Sequence, residues 1–219
     1  MMEDYPSSVT KKCHEIILKQ MNKSFGIINE KEIVIFIHIN YENKDIYAIL
    51  INNYINNEEY KDIKDIEINN KIEKIKLEEI IYKNKEENIS IIKLKQKNKK
   101  INYIEIEDKL DEEYYKKESI YIIQYNNINN ILISYGLIKE IYNNKLIYTG
   151  NINSKYKIYP IFNLSNNKLI GVGNDNNDKI FKRGIYLKKH ITEFLDKNKY
   201  TNKYKMNEIE ILFKIKKKI

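Results

Sequence analysis

The sequence is poor in the residues that constrain or cross-link a chain. Its 219 residues include no tryptophan, one cysteine, two prolines and six glycines. The single cysteine, Cys13, excludes an intramolecular disulfide framework of the kind on which small secreted domains depend. We therefore expect a protein that is not secreted and that resides in the cytoplasm or in an assembly formed there.

Long apolar runs and targeting signals are also missing. No run approaches the roughly 18 apolar residues of a membrane-spanning helix, and the acidic N-terminus lacks the order of a signal peptide. His14, His38 and His190 are far apart, and one cysteine cannot build a structural zinc site. Gly171 and Gly173 lack the third glycine of a dinucleotide-binding loop. We expect no membrane contact, no metal and no organic cofactor, and we expect His38 to be a hydrogen-bonded histidine.

Isoleucine, asparagine, lysine and tyrosine are the abundant residues of the sequence. There are 19 tyrosines, and hydrophobic residues make up 42% of the chain, which is enough for one large all-β domain or two small barrels. The bias fits an AT-rich coding sequence, so runs of Asn-Asn and Lys-Lys are interpreted first as drift on the surface. With few glycines and prolines, asparagine must supply many of the turns.

Hydrophobic spacing predicts where the helices and strands lie. A helical period predicts an N-terminal helix within residues 1–26, with Phe25 on its apolar stripe and Gly26 at its end. Alternation then predicts six strands in the region 27–107, before a charged linker at 108–118. These strands are 33–39, 46–51, 63–68, 72–77, 89–94 and 101–106. The region 119–197 repeats the pattern with strands at 119–125, 131–138, 146–151, 158–163, 169–173 and 184–187, and a closing helix at 191–197.

Three segments of the sequence occur in the order, and at a spacing, found in one known family. They read ILINNYI at 49–55, ENISIIKL at 87–94 and KYKIYPIFNL at 155–164. Each resembles the frame around one member of the catalytic triad of trypsin-like serine peptidases: a strand ending in Asn-His-Val, then Tyr-Asp-Val-Thr-Ile-Ile, then Gly-x-x-Gly-Ser-Pro-Ile. The segments SIYIIQY at 119–125 and ILISYGLI at 131–138 resemble two more strands of that family. The resemblance implies an all-β fold with short terminal helices and two six-stranded β-barrels of the chymotrypsin type.

The chemical residues of that family are absent. The resemblance places Tyr54 at the base, Asn88 at the orienting acid and Tyr159 at the nucleophile, while Lys155 and Ile158 replace glycines of the oxyanion loop. A phenol titrates near ~10 and is a poor base at neutral pH, and an amide cannot supply the charge of the triad carboxylate. We therefore expect a degenerate triad with no catalytic residues, and a filled cleft that takes no small-molecule substrate.

The basic surface and the C-terminal tail can each be interpreted in two ways. Net charge is +8, from 39 basic and 31 acidic residues, and Lys-rich runs occur at 95–100 and 214–218. A solvated lysine surface is the first interpretation, and nucleic-acid binding is the alternative. The basic tail 198–219 alternates like a strand at 207–215. It is interpreted as the remnant of a lost C-terminal module, or alternatively as a strand that pairs with the sheet edge of a partner.

These patterns together predict a pseudoprotease that is not an enzyme. We expect it to act as a protein-binding or structural component of a larger assembly, which would be a virion if the source is a large DNA virus. A basic nucleic-acid-associated protein is the first alternative. A hydrolase with an unrecognised active site is the second.

Overall fold

The chain is folded mainly into antiparallel β-strands. The computed structural model describes residues 15–19, 23–28, 32–51, 55–56, 60, 63, 65–68, 71–86, 88–107, 115–127, 130–143, 145–152, 158–174, 181–188 and 190–197. The strands coincide with isoleucine-rich alternating segments, because β-branched side chains suit a pleated and half-buried surface. Two short helices are described, α1 at 15–19 and α2 at 187–188 and 190–197. None of the described helices is both long enough and apolar enough to cross a membrane.

The first half of the chain forms one sheet. Its strands are β1 (Phe25–Ile28), β2 (Glu32–Tyr41), β3 (Lys44–Ile51), β4 (Asp65–Ile68), β5 (Lys71–Lys74), β6 (Leu77–Asn84), β7 (Ile89–Leu94) and β8 (Ile104–Glu105). They are ordered β5-β4-β1-β2-β3-β7-β6, and β8 pairs in parallel with β2. Over the described residues this sheet is open, with β5 at one end and β6 at the other.

The open sheet differs from the closed six-stranded barrel that we expected over 27–107. The two end strands are poorly suited to closing it. β5 is a four-residue strand whose only hydrophobic side chain, Ile72, is 72% exposed. β6 carries two register shifts against β7, between Leu77 and Tyr82. A short exposed strand and an irregular one do not present the matched hydrogen-bonding edges that closure needs.

The second half forms a closed six-stranded barrel, as expected. Its strands are β9 (Ser119–Asn127), β10 (Asn130–Tyr142), β11 (Lys145–Tyr148), β12 (Ile158–Asn163), β13 (Leu169–Asn174) and β14 (Lys182–Tyr186), in the closed order β10-β11-β14-β13-β12-β9. At Gly136, β10 approaches the Thr149 carbonyl so closely that a Cβ atom would overlap it. This glycine belongs to the Ser-Tyr-Gly-Leu segment that carries part of the family resemblance.

Two local features of the chain differ from the expectation. Phe25 and Gly26 open β1 and do not end a helix. β6 was not expected, because Glu78 and Glu79 interrupt its alternation. The predicted linker 108–118 is described only from Tyr115 onward, where Tyr115 is fully buried and its ring packs beside that of Tyr186.

One hydrophobic core connects the two halves. A single cluster of buried side chains includes Ile37, Leu50 and Ile91 of the open sheet together with Phe162 and Val172 of the barrel. The backbone joins them as well, since Ile106 forms a parallel bridge with Leu169 and the Glu107 amide donates to the Leu169 carbonyl, 2.9 Å away. The barrel also has a core of its own, rich in isoleucine and tyrosine.

Asparagine supplies several of the turns, as the composition predicted. Asn43, Asn88, Asn143 and Asn167 all have positive φ, with values of 62°, 53°, 48° and 60°. Asparagine tolerates the left-handed region better than most residues with a side chain. Asn43 lies in the tight turn between β2 and β3, which pair in full register from Val34–Ile51 to Tyr41–Lys44.

Candidate functional site

Tyr159, at the position of the nucleophile, lies inside the closed barrel. It is the second residue of β12 and its side chain is fully buried. Its hydroxyl oxygen is 3.2 Å from that of Tyr148, and the Tyr148 hydroxyl is 3.4 Å from the Arg183 carbonyl oxygen. Gly173, on the neighbouring β13, leaves room for both rings, because a Cβ atom there would overlap them. The phenol is therefore a packed and hydrogen-bonded part of the core.

Asn88, at the position of the orienting acid, has the opposite environment. It is exposed, in the left-handed turn between β6 and β7. Two residues later Ser90 is fully buried, and its Oγ accepts a hydrogen bond from the Ile55 amide at 2.9 Å. Ile51 is also the register partner of Ser90. The structure thus holds the chain on both sides of position 54 against the segment that follows Asn88, which is the neighbourhood that the triad frame requires.

The remaining predicted positions are described in part or not at all. Tyr54 and Lys155 lie outside the described residues, and Ile158 is described through its backbone, which pairs with Asn174. The structure does not bring Asn88 and Tyr159 together, because one side chain is on a solvent-facing turn and the other is in the barrel interior. A hydroxyl in that interior cannot reach a peptide bond in solution, so position 159 offers no nucleophile.

A second group of polar side chains lies on β2, on β3 and just before β8. His38 on β2 and Tyr47 on β3 are register partners, and their rings stack with centroids 5.0 Å apart and planes 15° apart. His38 Nε2 is 2.7 Å from Asp45 Oδ1, which confirms the expected hydrogen-bonded histidine. The Tyr103 ring meets Tyr47 edge-on at 4.8 Å, and Lys97 Nζ lies 4.8 Å from the Tyr47 centroid.

Tyr103 is the perturbed titratable group of this cluster. Burial raises the pKa of its phenol above the ordinary value, a smaller lowering comes from the Asn98 backbone amide, and Tyr47 adds a further increase. The Asn98 amide donates to the phenol oxygen at 3.0 Å. A phenol with a raised pKa stays neutral at physiological pH, so this ring offers a hydrogen-bond donor and an aromatic surface without a charge.

Two adjoining cavities surround this cluster. One has a volume of about 540 Å³ and is lined by Tyr47, Lys97, Tyr103 and their neighbours. The other has a volume of about 140 Å³ and lies between β2 and α2, where Lys168 and Lys188 line it. His38 and Glu105 line both cavities. We call these two cavities together the His38 trough, after a residue that lines both.

Sequence reasoning did not assemble the His38 trough. It identified His38 and the lysine run 95–100 separately, but pairing of β2 with β3 and β8 is needed to bring them together. The available signal was the alternation in β2, which places His38 on the face opposite the buried Ile37 and Ile39. Tyr103 carried no sequence signal.

A buried carboxylate lies where the two halves join. Glu107 is 1% exposed, and its Oε2 accepts hydrogen bonds from Asn166 Nδ2 at 2.6 Å and Asn163 Nδ2 at 3.3 Å. Asn163 Oδ1 in turn accepts from the amide and the hydroxyl of Ser165. These bonds satisfy the buried carboxylate, so the group is interpreted as a structural tie. Among the described residues no three His, Cys, Asp or Glu side chains are grouped as a metal site would require.

No model of a known protein family matches this sequence, and no match emerges from comparison with curated proteins. The likeness to trypsin-like peptidases therefore depends on the quoted segments and on a fold compatible with the chymotrypsin type, which includes one closed six-stranded barrel.

Proposed function

We propose that this protein is a pseudoprotease of the trypsin-like kind that serves as a protein-binding or structural component of an assembly. The burial of Tyr159 carries the proposal. At the position where the family needs an exposed hydroxyl beside an imidazole, this chain has a phenol that fills the barrel and bonds to another phenol. An active peptidase cannot use its nucleophile position in this way, whereas a scaffold gains core volume from it.

The edge of the open sheet is the surface that suits a protein partner best. Within the described residues β5 pairs with β4 alone, so one side of its backbone is available for hydrogen bonding. Ile72, in the middle of β5, is 72% exposed. Exposed strand edges recruit an added strand through main-chain hydrogen bonds, and alternate side chains supply specificity. Lys71 and Lys74 flank Ile72 and would limit uncontrolled pairing.

The proposal is tested by two measurements on protein recovered from its native source. The first is size-exclusion chromatography with light scattering, which we expect to give a mass well above the 26.4 kDa of one chain. Ile72→Lys should release the chain from that assembly. Leu132→Lys should not, because Leu132 is likewise exposed (43%) but lies on the barrel.

The second measurement is hydrolysis of peptide and ester substrates, with labelling by a fluorophosphonate probe. We expect no turnover and no labelled serine. Turnover by the wild-type chain would refute the proposal at once. A free monomer in the native extract, unchanged by Ile72→Lys, would remove the scaffold role and leave only the inactive fold.

A further inference from the structure

We propose that the His38 trough binds a nucleotide, with the base at its aromatic end and the phosphate at its lysine end. This inference is independent of the scaffold role, since it concerns β2, β3 and β8 in place of β5 and uses none of the triad positions. The proposal rests on three features of the trough, which follow the order of base, sugar and phosphate in a nucleotide. These are an aromatic wall, a carboxylate at the junction and a pair of lysines.

The aromatic end has the composition of a base-stacking surface. Tyr103, Tyr47 and His38 line a cavity of about 540 Å³ together with Lys97. The rings are fixed by one another and by strand pairing, through the His38–Tyr47 stack and the Tyr47–Tyr103 edge contact. Stacking on pre-ordered rings costs little side-chain entropy, and every base has an aromatic face to offer. An isolated cross-strand ring pair would stabilise the sheet without forming a cavity.

The lysine end has the size and charge of a phosphate site. Lys188 is half-buried and forms no hydrogen bond or ion pair with a described residue, so its ammonium group is available to a ligand. Lys168 is bridged to Glu105 at 3.4 Å. The cavity of about 140 Å³ also presents Asn40 and Thr192, whose side chains can donate to phosphate oxygens. Across the whole trough three lysines face one carboxylate, which favours an anionic ligand.

Glu105 lies where the two cavities meet, and it suits the sugar. Its carboxylate lines both cavities and is 57% exposed on its side chain. A carboxylate beside a phosphate site is unfavourable for a bare polyanion but accepts hydrogen bonds from ribose hydroxyls, as acidic residues do in dinucleotide-binding folds. Glu105 is already bridged to Lys168, and its exposed carboxylate can accept ribose hydroxyls in addition. This feature separates the site from a simple patch of lysines.

The nucleotide could be free or one unit of a single strand, and the same chemistry would recognise both. Duplex nucleic acid is a poor fit, since its bases are stacked on each other and cannot enter a cavity. We would titrate the full-length protein with AMP by calorimetry and with a fluorescent ten-nucleotide single strand by anisotropy. AMP binding with a 1:1 stoichiometry identifies a free nucleotide, and binding of the strand alone identifies nucleic acid.

Matched variants locate the binding. Lys188→Ala and Tyr103→Leu should each weaken binding about tenfold, in line with the loss of one phosphate contact or one stacked base. Lys145→Ala removes the same charge from an exposed position on the barrel and should change affinity less than twofold. Since Tyr103→Leu could disturb the sheet, a second readout uses the unmodified chain: bound ligand should protect Lys188 from acetylation, as read by mass spectrometry.

Three results would overturn the proposal. The first is absence of binding by AMP and by the single strand at low salt. The second is an equal loss of affinity in Lys145→Ala and Lys188→Ala, which would indicate a diffuse lysine surface. The third is acetylation of Lys188 that bound ligand leaves unchanged.

Discussion

At the scale of single residues, the clearest feature is a tyrosine where a hydrolase would have its nucleophile. A family frame can persist after its chemistry is lost, because the frame residues also build the core. Pro160 and Ile161 continue β12 and are buried like Tyr159. The side chain at position 159 fills the barrel, and its contribution should be measurable as stability.

Substitution of Tyr159 should affect folding according to how much of the ring is removed. Tyr159→Phe removes one buried hydroxyl pair and should cost about 1 kcal/mol in the free energy of unfolding. Tyr159→Ser empties the space of the ring and should cost about 3–5 kcal/mol. Denaturant unfolding checks both values.

Tyr142→Phe is the control for Tyr159→Phe, because Tyr142 is 62% exposed and should change stability by no more than about 0.5 kcal/mol. Equal effects of Tyr142→Phe and Tyr159→Phe would contradict the packed role of Tyr159.

Tyr103 should give the protein a stability that is lost in alkali. Burial raises the pKa of Tyr103 in the folded state above its ordinary value of 10.0. A raised pKa means that the folded state holds this proton more tightly, so the stabilisation is complete below about pH 10 and is lost as pH rises through the folded-state pKa. Unfolding measured at several pH values should therefore show wild type losing more stability above pH 10 than Tyr103→Phe. Parallel profiles for the two proteins would argue against a buried phenol.

At the scale of elements, the sequence predicted the strands of the barrel better than those of the open sheet. β12 has the predicted bounds 158–163, and β9, β10, β11, β13 and β14 each overlap their predicted segment. The described residues of β9, β12 and β13 are buried almost without a break, so their segments are apolar enough to be recognised as strands. β1 and β6 were missed for opposite reasons. Phe25 happened to continue a helical spacing, and Glu78 and Glu79 interrupted an alternation that register shifts accommodate.

Closure of a sheet was the feature that local patterns could not decide. Closure depends on whether β5 and β6 pair with each other. The sequence of neither strand indicates which strand would lie on its second side. The site posed a similar difficulty. Position 159 could be aligned with a family frame, but the orientation of its side chain depends on barrel closure and on Gly173. The His38 trough was harder still, since Tyr103 reaches Tyr47 only through the parallel pairing of β8 with β2.

The approach of β10 to the Thr149 carbonyl gives a test of the barrel at the element scale. Gly136→Ala would place a methyl group against the Thr149 carbonyl, which is backbone and cannot move aside alone. We expect a loss of about 1–3 kcal/mol or more in the free energy of unfolding. Gly150→Ala is the matched control, because the nearest atom there is the end of the Ile122 side chain, at 2.7 Å, which can rotate. Thermal unfolding of both variants shows whether the close backbone approach, and not the loss of a glycine in itself, causes the destabilisation.

At the scale of the whole molecule, a shared core makes the two halves one structure. The cluster that contains Ile37 and Leu50 continues to Phe162 and Val172, and the Glu107 carboxylate bridges to Asn163 and Asn166 across the same junction. In an active peptidase of this type the junction also forms the substrate cleft. Here its described part is occupied by packed side chains and satisfied hydrogen bonds. Under the proposed trypsin-like architecture, the described part of this junction therefore leaves no room for a triad.

That architecture leads to a prediction about restoring the triad. The triple variant Tyr54→His, Asn88→Asp, Tyr159→Ser supplies all three chemical groups, yet we expect no turnover of peptide or ester substrates. The new hydroxyl would replace a side chain that is buried in the barrel, while position 88 remains on an exposed turn. The oxyanion loop would also still lack its glycines, since Lys155 and Ile158 stand in their place, and donors in that loop are the main source of residual rate in a damaged triad.

Hydrolysis and fluorophosphonate labelling test the triple variant, with an active serine peptidase as the positive control. Denaturant unfolding of the same sample confirms that the chain is folded. If the triple variant proves too unstable, Tyr54→His and Asn88→Asp on the wild-type barrel separate loss of fold from loss of chemistry. Labelling of a folded triple variant at position 159 would show that this part of β12 can open to solvent. The barrel would then be a closed form of a working site, and the loss of function would lie in three side chains alone.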